Sequence, residues 1–282
     1  MMFDATSAEV TASAKPVERP LSPWQRAYNM AAFRRGIILV LLAVLWQGYA
    51  VWANNPLMFP SFTDTAIAFK DGIATGGLLK KAWTSVQVLL TGYIIGVVLA
   101  GILAGLAASS RLGEDLLATL TAMFNPLPAI ALLPLALLWF GLGTPSLLFV
   151  LVHAVLWPLA LNTSAGFASV AETLRMAGRN YGLRGWRYVA FILIPAAFPA
   201  ILTGLKIGWA FAWRTLIAAE LVFGVASGSG GLGWFIFENK NRLETASVFA
   251  GLGTVILIGL AVEGLVFRTI EKHTVRKWGM QR

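Results

Sequence analysis

The sequence predicts an all-α, polytopic membrane protein with about six transmembrane helices. Of its 282 residues, 57% are hydrophobic and 12% charged, about half the charged share of a soluble domain. Mean hydropathy is +0.73. Apolar runs about 20 residues long, enough to cross a bilayer core, recur between short segments that hold most of the charge. The formal net charge of +9 is gathered on one side of these runs. That is a topology signal and gives no reason to expect nucleic acid as a partner. There is no cysteine, which excludes a disulfide framework, a cysteine–zinc site and a thiol nucleophile. Two isolated histidines, His153 and His273, predict no metal centre.

Residues 1–22 are small and polar without apolar period, and read as a disordered tail. They are no signal peptide, because the first apolar core begins only beyond Arg35. Residues 23–35 mix Trp24, Tyr28 and Phe33 with Arg26, Arg34 and Arg35, a pattern for an interfacial helix. The membrane domain is expected over residues 36–270, with a first span at 36–53. Residues 54–82 read as an outer segment with one amphipathic helix, for which Ser61 or Thr63 offers a cap.

The second span, 84–108, carries Gly92, Gly96, Gly101 and Gly105, a stripe suited to close helix packing. The third, 116–140, is broken by Pro126, Pro128 and Pro134, which places it inside the bundle, near any pathway. The fourth spans 146–164. The fifth, 188–223, is expected to break at Pro195 and Pro199. A polar loop, 224–245, precedes the sixth span, 246–267, and residues 271–282 form a basic tail.

An even number of spans puts both termini on one side. Lys and Arg number fifteen on that side and five on the other. The excess sets both ends and the central loop in the cytoplasm. That loop bears Arg175, Arg179, Arg184 and Arg187, with Leu174, Met176, Ala177 and Tyr181 as an apolar side. The pattern predicts an amphipathic helix within 169–182, ended by Gly182, whose apolar side calls for a partner.

The run Met176-Ala177-Gly178-x3-Gly182-x9-Ile192-x-Ile194-Pro195 resembles the EAA loop of permease subunits of bacterial binding-protein-dependent ABC importers. Met176 replaces the usual glutamate, as is frequent in the nitrate/sulfonate/taurine branch. Residues 125–143, with Asn125 where an arginine is common, resemble the proline-rich span of that branch. Leu202–Lys206 and Ala219–Leu221 resemble two further segments.

The resemblance implies a type I importer permease fold in a bacterial cytoplasmic membrane. It implies a second permease chain, identical in the simplest case, two ATPase subunits below that hold the ATP and Mg²⁺, and a soluble binding protein above. It casts Thr173, Arg175, Met176, Ala177, Gly178, Arg179, Gly182 and Arg184 as the ATPase-coupling residues. The cargo it implies is a small solute, anionic in most of the branch.

The residues themselves contain no Gly-x4-Gly-Lys-[Ser/Thr] phosphate loop, paired carboxylates or nucleophile–base arrangement, so no catalytic residue or cofactor is expected in this chain. Gly228-x-Gly230-x-x-Gly233 matches a dinucleotide fingerprint but lacks its strand–helix surroundings. By resemblance, Gly228, Gly230, Gly231 and Gly233 belong to an outer-gate loop facing the binding protein. Lys206, Arg214 and Glu220 lie inside the fifth span, where charge is costly. At about 100° per residue, Lys206 and Glu220 fall within roughly 40° of each other. Either these charges pair and tie helices together, or, with Asn125, they line a translocation path. A stand-alone ion-coupled carrier is the rival function that such charges would serve.

Overall fold

The computed structural model describes residues 23–74, 77–223 and 230–277. The tail expected over residues 1–22, the end of the basic tail after residue 277, and Gly228 lie outside the described residues. Among the described residues every regular element is helical.

α1 (Pro23–Asn29) and α2 (Ala31–Ala53) divide the predicted interfacial segment between them. The chain turns at Met30, where the backbone is extended. Arg34 closes the turn by donating to the Tyr28 carbonyl at 2.6 Å, and Trp24 meets Phe33 edge to face. The helix that holds the first span therefore begins at Ala31, with Arg34 and Arg35 in its opening turns. Its apolar side chains are exposed along their length, as expected of a helix solvated by lipid.

α3 (Phe62–Ala74) is the predicted amphipathic helix. Ser61 caps it, accepting from the Asp64 amide at 3.1 Å. α4 (Gly77–Ser109) and α7 (Thr144–Ala168) pack along each other through half of the glycine stripe. A Cβ on Gly92 would sit 2.7 Å from Leu151 Cβ, and one on Gly96 2.7 Å from Val155 Cβ. Gly101 and Gly105 have nothing within 4 Å of such an atom.

α5 (Arg111–Phe124), capped by Ser110, leads into a short 3₁₀ turn and α6 (Leu133–Phe140). The two halves of this third span are bent by 85°, because Pro126 and Pro128 can supply no N–H to continue the helix. The fifth span behaves otherwise. α9 (Gly185–Tyr188) widens into a π-helical turn at Val189–Leu193 and runs on as α10 (Ile194–Phe223), through Pro199. The chain before these prolines adjusts by a wider turn rather than the break expected there.

Within the predicted polar loop 224–245, the described residues from 230 on include a helix. Gly231 leads into α11 (Leu232–Asn241), whose Leu232, Gly233, Ile236 and Asn239 are buried. The last span is α12 (Thr245–Ala261), continued by π-helical turns and α13 (Arg268–Glu271). α7 lies at the centre, packed on α4 and α10. The main core joins Leu89, Leu151, Val155, Trp213, Leu216 and Leu232 from these helices and α11.

Candidate functional site

Three constellations stand out, beginning with the hairpin between α7 and α9. Its helix, α8 (Glu172–Asn180), is fixed by three devices. Arg175 donates from Nη2 to the Phe167 carbonyl at 2.5 Å and from Nε to the Val170 carbonyl at 3.1 Å. It thereby brings a cation to the carbonyl end of α7, sharing the Phe167 carbonyl with the Val170 amide. Gly178 is buried, and a Cβ there would sit 2.8 Å from Ile192 Cγ1 of the following π-helical turn. Gly182 has φ +73°, and two backbone bonds close the end: Leu183 N to Gly178 O at 3.1 Å and Gly182 N to Arg179 O at 2.9 Å. This double bond pattern is a Schellman C-cap, where glycine alone is unstrained.

The eight residues assigned to this helix by sequence divide into two groups. Arg175 and Gly178 point back into the protein, with Ala177 half-buried. Thr173, Met176, Arg179, Gly182 and Arg184 are exposed, together with Leu174 and an 86% exposed Tyr181. Glu172 lies 3.9 Å from Arg175 and 3.8 Å from Arg179, long exposed pairs that contribute little.

At the far end of the bundle, Glu220 of α10 is 5% exposed. Its carboxylate accepts from Ser85 Oγ of α4 at 2.8 Å and from the Gly233 amide at 2.9 Å. Ser85 Oγ in turn accepts from the Leu232 amide at 2.8 Å. The free N–H groups that open α11 are thus satisfied by a carboxylate and a hydroxyl from two other helices. A Cβ on Gly231 would collide with Ser85 Oγ and Glu220 Oε1, and one on Gly233 with Glu220 Cβ and the Ile217 carbonyl. Gly230, likewise buried, packs against Trp234. Ser85 had no visible signal in the sequence, since 135 residues separate it from Glu220.

The third constellation is a cavity of about 450 Å³ at the α5–α6 bend, lined by Asn125, His153, Trp157, Arg214 and Thr215 among others. Phe124 stacks on Trp157 with ring centroids 5.2 Å apart. Arg214 donates to the Ala210 carbonyl at 3.0 Å and lies over the Phe211 ring. Of the four residues marked in the sequence as a path, Asn125 and Arg214 line this cavity. Lys206 instead bonds Glu271 of α13 at 2.7 Å, and Glu220 is engaged at α11. No cluster of three His, Asp or Glu able to hold a metal occurs among the described residues.

Residues 92–275 match the family described as binding-protein-dependent transport system inner membrane component. The chain is 30% identical to the taurine transport system permease protein of Escherichia coli (strain K12), over 84% of this chain and 86% of the relative. It is 28% identical to the nitrate import permease protein of Synechocystis sp. (strain PCC 6803), over 92% of this chain and 95% of the relative.

Proposed function

The chain belongs to the binding-protein-dependent transport system inner membrane component family, and from that premise we propose how its parts share the work of import. It is a multi-pass permease subunit of an ABC importer. In our reading its cargo is a small anionic solute, in keeping with the taurine and nitrate transport named for its relatives. ATP and Mg²⁺ act in separate ATPase subunits, and a binding protein delivers the solute on the opposite side. A second copy of this chain completes the passage. The fifteen-to-five distribution of Lys and Arg supports cytoplasmic termini, with α8 on the ATPase side.

One observation carries the coupling role. α8 is fixed through Arg175, Gly178 and the Gly182 cap, while Met176, Tyr181 and Arg179 remain bare on a helix joined to two spans. A rigidly mounted helix with an uncovered face transmits a push from a partner to the bundle. ATP-driven closure of the ATPases moves α8 and opens the passage outward; hydrolysis resets it. The Glu220–Ser85 contact holds the outer segment around Gly230, Gly231 and Gly233 against α4 and α10.

The test is uptake and ATPase stimulation in the assembled importer carrying Gly182→Pro or Arg179→Glu. Both variants are expected to insert normally and to lose coupled uptake. Normal stimulation and uptake in both would remove α8 from the mechanism.

A further inference from the structure

At the α5–α6 bend, several polar groups that should have partners have none. His153 Nδ1 and Nε2 and Trp157 Nε1 are buried without a hydrogen-bond partner among the described residues. Both side chains line the 450 Å³ cavity, and Trp157 is only 7% exposed. Arg214 enters the same cavity from α10 with its side chain exposed; its Nε is taken by the Ala210 carbonyl, and its charge has no ion pair among the described residues. Other unpartnered buried atoms, on Thr121, Tyr188 and Trp209, do not line it.

The chemistry of these groups points one way. An indole N–H and a guanidinium can only donate, and an imidazole donates from at least one nitrogen. No carboxylate lines the cavity among the described residues. A buried donor without an acceptor is costly, and an intramembrane arginine without a counter-charge more so. What relieves all three at once is an acceptor carrying negative charge. One full cation matches one negative charge, and a guanidinium fork matches two oxygens of an oxyanion. Much of the remaining wall is apolar: Pro126, Ile130, Ala154 and Phe211.

We infer that this cavity is a binding site for a small monovalent oxyanion bearing a short organic group. Arg214 and the two buried ring donors hold the oxygens, and the proline bend with Phe211 covers the organic end. The inference rests on the permease reading only in taking this ligand to be cargo. Asn125 and Thr215 sit at the same wall and add neutral hydrogen-bonding capacity.

The two histidines of the chain make a direct test possible. The full chain is reconstituted in lipid nanodiscs with ¹⁵N-labelled histidine, and ring-nitrogen spectra are recorded during titration with ethanesulfonate. Dimethyl sulfone serves as the neutral control, and His273→Gln assigns the signals. A saturable shift of His153 with ethanesulfonate alone is expected. Arg214→Gln is expected to weaken it about tenfold or more, the loss of the charge-assisted hydrogen bonding, while Arg214→Lys, which keeps the charge but not the fork, weakens it less.

Three results would overturn the site: a silent His153, an equal shift with the sulfone, or unchanged affinity in Arg214→Gln. A silent His153 in a chain whose α8 variants uncouple transport removes the anion site alone. A responding His153 in a chain whose α8 variants transport normally removes the coupling role alone.

Discussion

The two ends of the bundle are built by opposite rules. At one end α8 is held by its back and its cap, with Met176, Tyr181 and Arg179 left bare. At the other, α11 is buried along Leu232, Gly233 and Ile236, and its opening amides are satisfied by Glu220 and Ser85. A surface kept for another protein, the role proposed for α8, can place little of its own stability in the exposed residues. A closure within one chain can place nearly all of it there. The difference therefore separates residues whose loss unfolds or loosens the protein from residues whose loss only disconnects it.

Substitutions sharpen that comparison in order of expected size. Gly231→Val brings a side chain onto Ser85 Oγ and Glu220 Oε1, and overpacking at a site with no slack costs about 3 kcal/mol. Thermal unfolding in detergent should show the largest drop in Tm of the series. Glu220→Ala leaves the Ser85 hydroxyl and the Gly233 amide without their acceptor, a loss of about 2–3 kcal/mol. It should also speed hydrogen exchange at the α11 amides.

Arg175→Ala removes two bonds to carbonyls around the end of α7, for about 1–2 kcal/mol. Proteolysis confined to residues 169–184 would report that loosening. The smallest stability effect belongs to Arg179→Glu, exposed and weakly paired, whose Tm should change by no more than about 0.5 kcal/mol allows although uptake is lost. A large fall in Tm for Arg179→Glu, or none for Glu220→Ala, would erase the distinction between the two ends.

Much of the fold was legible because lipid imposes simple rules. Five long apolar helices, a sixth run bent at the prolines of 126–134 and the Ser61 cap each follow from chemistry within about twenty residues. The end of α8 was legible for the same reason: Gly182 lies at a left-handed cap that few other residues fill. What escaped depends on contacts across the bundle. The helical wheel placed Lys206 near Glu220, but fourteen residues separate them by about 21 Å along the axis. Lys206 reaches Glu271 instead.

α11 was hidden by the glycines and charges around it, although the buried spacing of Leu232, Gly233, Ile236 and Asn239 was present in the sequence. At Pro195 and Pro199 composition suggested a break, yet the chain kept its helix by widening one turn. The cavity at the bend joins the α5–α6 connection, α7 and α10, and no local pattern unites Asn125, His153 and Arg214.

Because the chain has no cysteine of its own, a single Met176→Cys carrying a photoactivatable cross-linker tests the coupling role most directly. In the purified importer, α8 should cross-link to the ATPase subunit, with a yield that changes when ATP is added. Labelling of lipid alone, or of no second protein in any nucleotide state, would contradict it.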